Sequence, residues 1–358
     1  MKIILSGGGT LGPVTPLLAL REMYLKAHPD AQFVWVGTKD GPERALVTKA
    51  GVPFFEISAG KLRRYFSLMN FFDIFRILAA FFQSLYLVWQ ERPDLLISAG
   101  GFVSVPLHIA GWMFGVPSWI HQQDAVPGLA NKIMAKFADR ITVTFKDSLA
   151  SFSIKKSEVL GNMARALGGV TEADGKKFFN INAADPVIFV IGGGTGSFRL
   201  NQMTVEALPA WPKNWQVIHL VGRERSKELA ERAQNVFPNY HVFEFFTDEM
   251  RYAYAAADVV VARAGMGTLT ELAALKKAAI LLPIVGHQQA NALYLEKNGG
   301  AIVLHENTDS GLKLAKLVEE LIDDDSRRAQ MGEAIGRVLL IARPERVVGV
   351  VDELIEKK

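Results

Sequence analysis

Cysteine is absent from the 358-residue chain. That excludes a disulfide framework and a thiolate metal site, and it fits a reducing compartment. Net charge is also scarce. The formal balance is +3, and no stripe of lysine and arginine reaches the density that nucleic acid needs, so no nucleic-acid partner is expected. No apolar run reaches the roughly 20 residues of a membrane-spanning helix. The opening MKIILSGGG has neither the h-region nor the cleavage site of a signal peptide, and secretion is not expected. Two nucleotide fingerprints are missing too: SGGGTLGPVTP is neither a full GxGxxG nor a GxxxxGK[ST].

What is present has the composition of a globular protein, 49% apolar and 22% charged, and its length suits two domains with a core each. Short β-rich runs alternate with helical patterns: IILSG, QFVWVG, DLLISAGG, SWIHQ and RITVTF, then PVIFVIGGG, WQVIHLVG, YHVFEFF, DVVVAR and AAILLPI. Apolar strands that end in glycine and are separated by helices predict buried parallel sheets, so each half reads as doubly wound α/β. Periodicity lapses over residues 160–177, which places the seam there. Each half opens with a strand and a glycine loop, SGGGTLG at 6–12 and IGGGTGSFRLN at 191–201. Open α/β sheets bind ligands at strand C-termini, so a cleft between the halves is expected, with the first loop suited to phosphate and a helix beginning near Pro16.

Residues 61–89 form a separate feature. Lys61, Arg63 and Arg64 precede a run dense in Phe, Leu, Ile and Trp. It reads either as a core helix or as a helix with a surplus apolar face beside basic residues, suited to anionic headgroups.

Residues 258–301 carry the sharpest pattern: a strand at Val259–Ala262, a turn, a helix at Thr268–Leu275, a strand at Ala279–Pro283, a polar loop and a helix at Ala290–Asn298. Thr268 and Glu271 form a T-x-x-E capping pattern, and the N–H groups of Met266, Gly267 and Thr268 could dock a diphosphate. Glu271 alone could equally be just the acidic partner of a capping box.

With these motifs and GGGTLGPVTPLLAL, DLLISAGGFVSVP, HQQDAVPGLANKIMAKFAD, LGNMAR, FFTDEMRYAYAAAD and HQQANALYLEKNGGA, all in order, the chain resembles the MurG family of glycosyltransferases. The resemblance implies a GT-B fold, two doubly wound Rossmann-like domains facing a central cleft: an acceptor and membrane-facing domain at 1–162, a donor domain at 163–340, and a helix at 341–358 returning to the first. It implies inverting transfer of N-acetylglucosamine from UDP-GlcNAc to an undecaprenyl-diphosphate muramoyl-pentapeptide, at the cytoplasmic face of the plasma membrane. UDP-GlcNAc is then a substrate and no cofactor is implied. No D-x-D pair sits in the donor motifs, so no metal is expected; Asp323, Asp324 and Asp325 read as a helix-end loop.

Carried over by residue, the resemblance implies donor contacts from Arg165, from the backbone of Gly194, Thr195 and Gly196, and from Thr247 through its backbone to uracil. The run Met266, Gly267, Thr268, Leu269, Thr270 and Glu271 follows, with Glu271 on the ribose, and His287, Gln288 and Asn291 on the sugar. Thr10, Leu11, Gly12, Gly100, Gly101 and Ser104 would cradle the acceptor diphosphate, and Asn131 would face the acceptor.

The chain departs from the family at the expected proton acceptors. Pro13 stands where the family has histidine, and His121-Gln122-Gln123-Asp124 stands for HEQN. Asp124 is the favoured replacement base; His121 is as well explained as a packed residue. A different lipid acceptor, or UDP-sugar binding without catalysis, are the competing readings.

Overall fold

The computed structural model describes residues 1–58, 69–165, 167–194, 196–222 and 233–357. It divides into two compact units, Met1–Arg165 with Leu340–Lys358, and Ala166–Leu339.

Unit 1 is built on seven parallel strands among the described residues: β1 (Lys2–Ser6), β2 (Gln32–Thr38), β3 (Phe54–Ile57), β4 (Leu95–Ser98), β5 (Ser118–Gln122), β6 (Arg140–Val143) and β7 (Ser157–Val159), in the order β3-β2-β1-β4-β5-β6-β7. Helices α1 (Val14–Ala27), α2 (Glu43–Lys49), α3 (Met69–Glu91), α4 (Ser104–Met113) and α5 (Leu129–Met134) lie between them. Side chains of β1 alternate between two cores. Ile3 and Leu5 join one cluster with Leu17, Leu20 and Trp35, while Ile4 joins another with Val34, Val36 and Leu107. A strand covered on both faces needs apolar residues at every position, which is why its sequence reads as a run rather than an alternation.

Unit 2 contains α6 (Glu172–Phe178), β8 (Val187–Ile191), α7 (Phe198–Ala207), β9 (Gln216–Leu220), β10 (Tyr240–Phe243), α8 (Met250–Ala256), β11 (Val259–Ala262), α9 (Met266–Leu275), β12 (Ala279–Leu281), α10 (His287–Lys297), β13 (Ile302–Val303), α11 (Gly311–Ile322) and α12 (Asp325–Val338). Its sheet runs β10-β9-β8-β11-β12-β13, all parallel. Asp323 and Asp324 lie at the junction of α11 and α12, where the Asp324 carboxylate accepts from Arg327 N at 2.8 Å.

The chain then returns to unit 1. Asn162 N donates to Leu340 O (2.7 Å), Ala342 N donates to Asn162 O (2.9 Å), and α13 (Pro344–Glu356) buries Val347, Val350, Val351 and Leu354 in the cluster that holds Leu17 and Leu20 of α1. Tyr24 of α1 donates to Asp352 of α13 at 2.7 Å.

Each sheet reverses its winding beside its first strand, since β1 lies between β2 and β4, and β8 between β9 and β11. The C-termini of β1 and β4, and of β8 and β11, therefore mark a topological switch point in each unit. All four strands end there in the glycine-containing loops that the motifs singled out.

Candidate active site

In unit 2, β11 ends at Ala262 and α9 begins at Met266, with Gly265 at the N-cap and no side chain capping the helix. Thr268 is thus the third residue of α9 and Glu271 lies a turn further on, so the two do not form the expected capping box. The helix starts two residues earlier than Thr268 because the extended Gly265, φ −71° and ψ 141°, already serves as the cap. The first-turn N–H groups of Met266, Gly267 and Thr268 lack intrahelical partners by the geometry of an α-helix, and the helix dipole favours an anion there. Leu269 and Thr270 do not share this role. Leu269 is fully buried and its N–H donates to Gly265 O at 3.0 Å, while the buried Thr270 hydroxyl donates to Met266 O at 2.6 Å.

Glu271 is half-buried and its Oε2 accepts from Tyr254 Oη at 2.9 Å. Tyr254, on α8, is fully buried and also packs edge-on against Phe189 of β8. A carboxylate held from below by a core phenol keeps one position, a condition for reading a pair of hydroxyls. Gln288 lies in the same neighbourhood, its Nε2 3.9 Å from where a Cβ on Gly265 would stand. It belongs to the first turn of α10, which begins at His287, earlier than the expected Ala290. His287 is exposed, whereas Asn291 is buried at 1% exposure and faces inward from the same helix.

The loop after β8 turns back on itself, with Gly196 N donating to Gly193 O at 3.1 Å. Gly192 is required there, because a Cβ would stand 2.6 Å from Ser197 N. Gly194 is exposed, and Thr195 lies outside the described residues. The backbone N–H of Thr247 is taken by Glu249 Oε2 at 2.9 Å, so a contact to a base through that group is not available in this arrangement. Arg165 is exposed and groups with unit 1. Arg263, which the motifs did not single out, ties the end of β11 in place through Leu282 O (2.8 Å) and the Glu306 carboxylate (2.7 Å).

In unit 1 the first glycine loop already holds an anion, and that anion is internal. The fully buried Glu43 accepts from Gly9 N (3.2 Å), Thr38 N (2.7 Å) and Thr38 Oγ1 (2.5 Å). Helix α1 begins at Val14 rather than near Pro16. Pro13 brings no N–H, and Val14 N and Thr15 N both point to Leu11 O, at 3.1 and 3.5 Å. The N–H groups of Thr10, Leu11 and Gly12 take part in none of these bonds. The second loop packs on the first: a Cβ on Gly101, φ +97°, would stand 3.1 Å from Gly8 N and O. Gly100 has φ +111°. Ser104 does not reach a ligand. It is fully buried, accepts from Ser6 Oγ at 2.9 Å and donates to Gly100 O at 3.2 Å.

The HQQD segment closes β5. His121 is fully buried. Trp119 Nε1 donates to Thr142 Oγ1 (2.8 Å), which sends the hydroxyl hydrogen to His121 Nδ1 (2.8 Å) and leaves Nε2–H for Asn162 Oδ1 (3.1 Å). Burial pushes its pKa down to about 4, against the pull of the Asn162 bond. His121 is thus the packed residue of the two readings. Asp124 is half-buried and its backbone carbonyl accepts from Gln122 Nε2 at 2.7 Å. Asn131 sits beside Gly100, but both its amide hydrogens are spent on Gln122 Oε1 (2.6 Å) and His121 O (3.3 Å). It has no donor left for a diphosphate.

Residues 3–143 match the glycosyltransferase family 28 N-terminal domain, and residues 187–342 the family 28 C-terminal domain. A Clostridium perfringens protein named UDP-N-acetylglucosamine--N-acetylmuramyl-(pentapeptide) pyrophosphoryl-undecaprenol N-acetylglucosamine transferase is 38% identical over 327 residues, 89% of this chain and 90% of its own length. A Bacillus cereus protein named as transferase 2 of the same type is 35% identical over 91% of this chain and 93% of its own. The crystal structure of Acinetobacter baumannii MurG superposes with a TM-score of 0.78 at 24% identity, covering 98% of this chain and 99% of that one. With two family 28 domains in order and relatives of this identity along nine-tenths of its length, the chain belongs to the MurG family of glycosyltransferase family 28.

Proposed function

We propose that the protein transfers N-acetylglucosamine from UDP-GlcNAc to a muramoyl-pentapeptide carried on undecaprenyl diphosphate, converting lipid I to lipid II. The relatives of that named activity, 35–38% identical over about nine-tenths of the chain, carry the reading. The open N-terminus of α9 supports it: N–H groups aimed at a diphosphate stabilise the charge that grows as UDP leaves. Glu271 and Gln288 would hold the ribose and the sugar.

Asp124 is the base in this reading. It would take the proton from the acceptor hydroxyl as the new bond forms, in place of the family's missing histidine and glutamate. Asp124→Asn is expected to lower turnover of lipid I by roughly 10²- to 10⁴-fold, with UDP-GlcNAc affinity unchanged by calorimetry. Full turnover in the variant removes Asp124 from the role, and a wild type inactive on lipid I removes the functional reading.

The protein works as a peripheral enzyme on the cytoplasmic membrane surface. No helix among the described residues is long and apolar enough to cross a bilayer. Helix α3 instead exposes Phe75, Leu78, Phe82, Tyr86 and Trp89 at three- and four-residue spacing, while Ala80, Ser84, Leu87 and Val88 face the core. Helix α4, packed on α3, adds exposed Trp112 and Met113 at its end. Aromatic stripes of this kind settle into the headgroup boundary. Lys61, Arg63 and Arg64 lie outside the described residues. Co-sedimentation with vesicles of anionic phospholipid is expected to fall at least about tenfold in Phe82→Glu/Trp89→Glu, since each buried aromatic contributes roughly 2 kcal/mol; unchanged binding rejects α3 as the contact.

A further inference from the structure

The phenol of Tyr254 is fully buried, and its Oη donates to Glu271 Oε2 at 2.9 Å. The ring packs edge-on against Phe189 of β8, with centroids 5.1 Å apart and planes at 90°. As a core group the ring needs no hydroxyl, since phenylalanine fills the same space, and a hydroxyl taken into a core must find a partner there. Tyr254 gives its hydrogen to a carboxylate on a different helix, 17 positions along the chain.

Glu271 stands where that bond can affect a ligand. On α9 Met266, Leu269, Thr270, Leu272 and Ala273 are buried, whereas Gly267, Thr268 and Glu271 are only partly so. Residues three and four apart share a helix face, so Glu271 lies one turn below Gly267 and Thr268. Helical side chains tilt toward the N-terminus, which brings the carboxylate back toward the open N–H groups at the start of α9. One phenol hydrogen takes one of the roughly four lone-pair sites of a carboxylate, so the bond fixes the group without filling it. Its orientation is settled when the chain folds, and the rotamer freedom of a glutamate is not lost again when a ligand binds.

We propose that Tyr254 is a positioning residue for the donor: through Glu271, its hydroxyl sets the preference for a nucleotide with both ribose hydroxyls over one that lacks either. A carboxylate held in one orientation discriminates between hydroxyl patterns, because a missing hydroxyl leaves a fixed acceptor unpaired. A mobile carboxylate turns to water instead and discriminates less. The inference rests on the reading that Glu271 meets the ribose, and the experiment separates the two.

Calorimetry on the full chain would compare UDP with 2′-deoxy-UDP and 3′-deoxy-UDP, which needs no lipid acceptor. Wild type should bind UDP roughly 10- to 100-fold more tightly than at least one deoxy nucleotide, as expected for a hydrogen bond to a charged group. Tyr254→Phe keeps the ring and should cut that preference to within about threefold, with UDP weakened and the deoxy nucleotide little changed. In Glu271→Ala the preference should vanish. Adding Tyr254→Phe to that variant should change UDP affinity by less than about twofold, because the hydroxyl has lost the group it acts on. A tyrosine that served only the fold would weaken UDP equally with and without Glu271. That result, or a wild-type preference retained in Tyr254→Phe, overturns the inference and leaves Glu271 on the ribose. No preference in wild type, or one that survives Glu271→Ala, overturns the ribose reading and the inference with it. A wild type that binds no UDP removes the proposed function as well.

Discussion

Replacing Glu43 by alanine is expected to lower the stability of unit 1 by on the order of 3–5 kcal/mol, because three buried donors lose their acceptor and a void opens under the loop. The glycines around this carboxylate show how closely it is packed. A Cβ on Gly8 would stand 2.2 Å from Glu43 Oε1, one on Gly41 2.0 Å from Oε2, and one on Gly37 3.1 Å from Oε1. Glu43→Gln gives the sharper experiment. An amide can keep its oxygen on the two donors of Thr38, but its NH₂ then faces the Gly9 N–H, so the damage is confined to the glycine loop. The expected result is a roughly tenfold rise in acceptor KM with the KM for UDP-GlcNAc within about twofold of wild type. Parallel changes in both constants would mean that Glu43 supports only the fold.

Acidification should unfold the protein well before its carboxylates are neutralised. His108, His121 and His219 are fully buried, and burial lowers their pKa values to about 3, 4 and 3. The unfolded chain takes up a proton at each near pH 6.5, while the folded chain does not until about pH 3–4. Stability from these groups is therefore complete above about pH 7 and is lost as pH falls from there toward pH 4. At pH 5 the loss is on the order of 2 kcal/mol per histidine. Two of the three lie in unit 1, and burial also lowers the pKa of His241 in unit 2, so urea titrations at pH 7.5, 6 and 5 should show both units losing stability. His108, on α4, has no partner on either ring nitrogen. His108→Leu should therefore raise stability at pH 7.5 and flatten the acid slope of unit 1 by about half, whereas His219→Leu should lower stability, because it strands Tyr240 and Asn201, which lie 2.6 and 3.0 Å from the ring. A pH-independent midpoint between 7.5 and 5 would refute this account.

The architecture was legible because the signals are local. Runs such as IILSG and VIFVIGGG announce strands buried on both faces and end in the glycines that close approach requires, and the spacing between them leaves room for crossover helices. The same is true of Met266 to Thr268, where strand, glycine and helix follow one another directly. Other parts of the site depend on contacts between distant residues, and sequence spacing cannot supply those. Glu43 meets Gly9 across 34 positions; glycines at 37 and 41 just ahead of it are the available hint. Ser104 looked like a phosphate ligand until the direction of its hydroxyl was set by Ser6 on the neighbouring strand. The amide hydrogens of Asn131 are taken by Gln122 Oε1 and His121 O, nine and ten positions away. The start of α9 is hidden for a different reason, since Gly265 serves as its cap without any side chain to reveal it.

Unit 1 is assembled from both ends of the chain, with unit 2 inserted between Arg165 and Leu340. During synthesis the strands of unit 1 leave the ribosome before the residues of unit 2, and the helix that covers α1 leaves only after them. At ordinary translation speeds roughly 10–35 s pass while the inserted residues are made. Leu17, Leu20 and Tyr24 stay uncovered on that side throughout this interval, so the nascent half-protein is a natural client for chaperones. A chain that stops short of Pro344 would leave that core face open for good, whatever the state of unit 2.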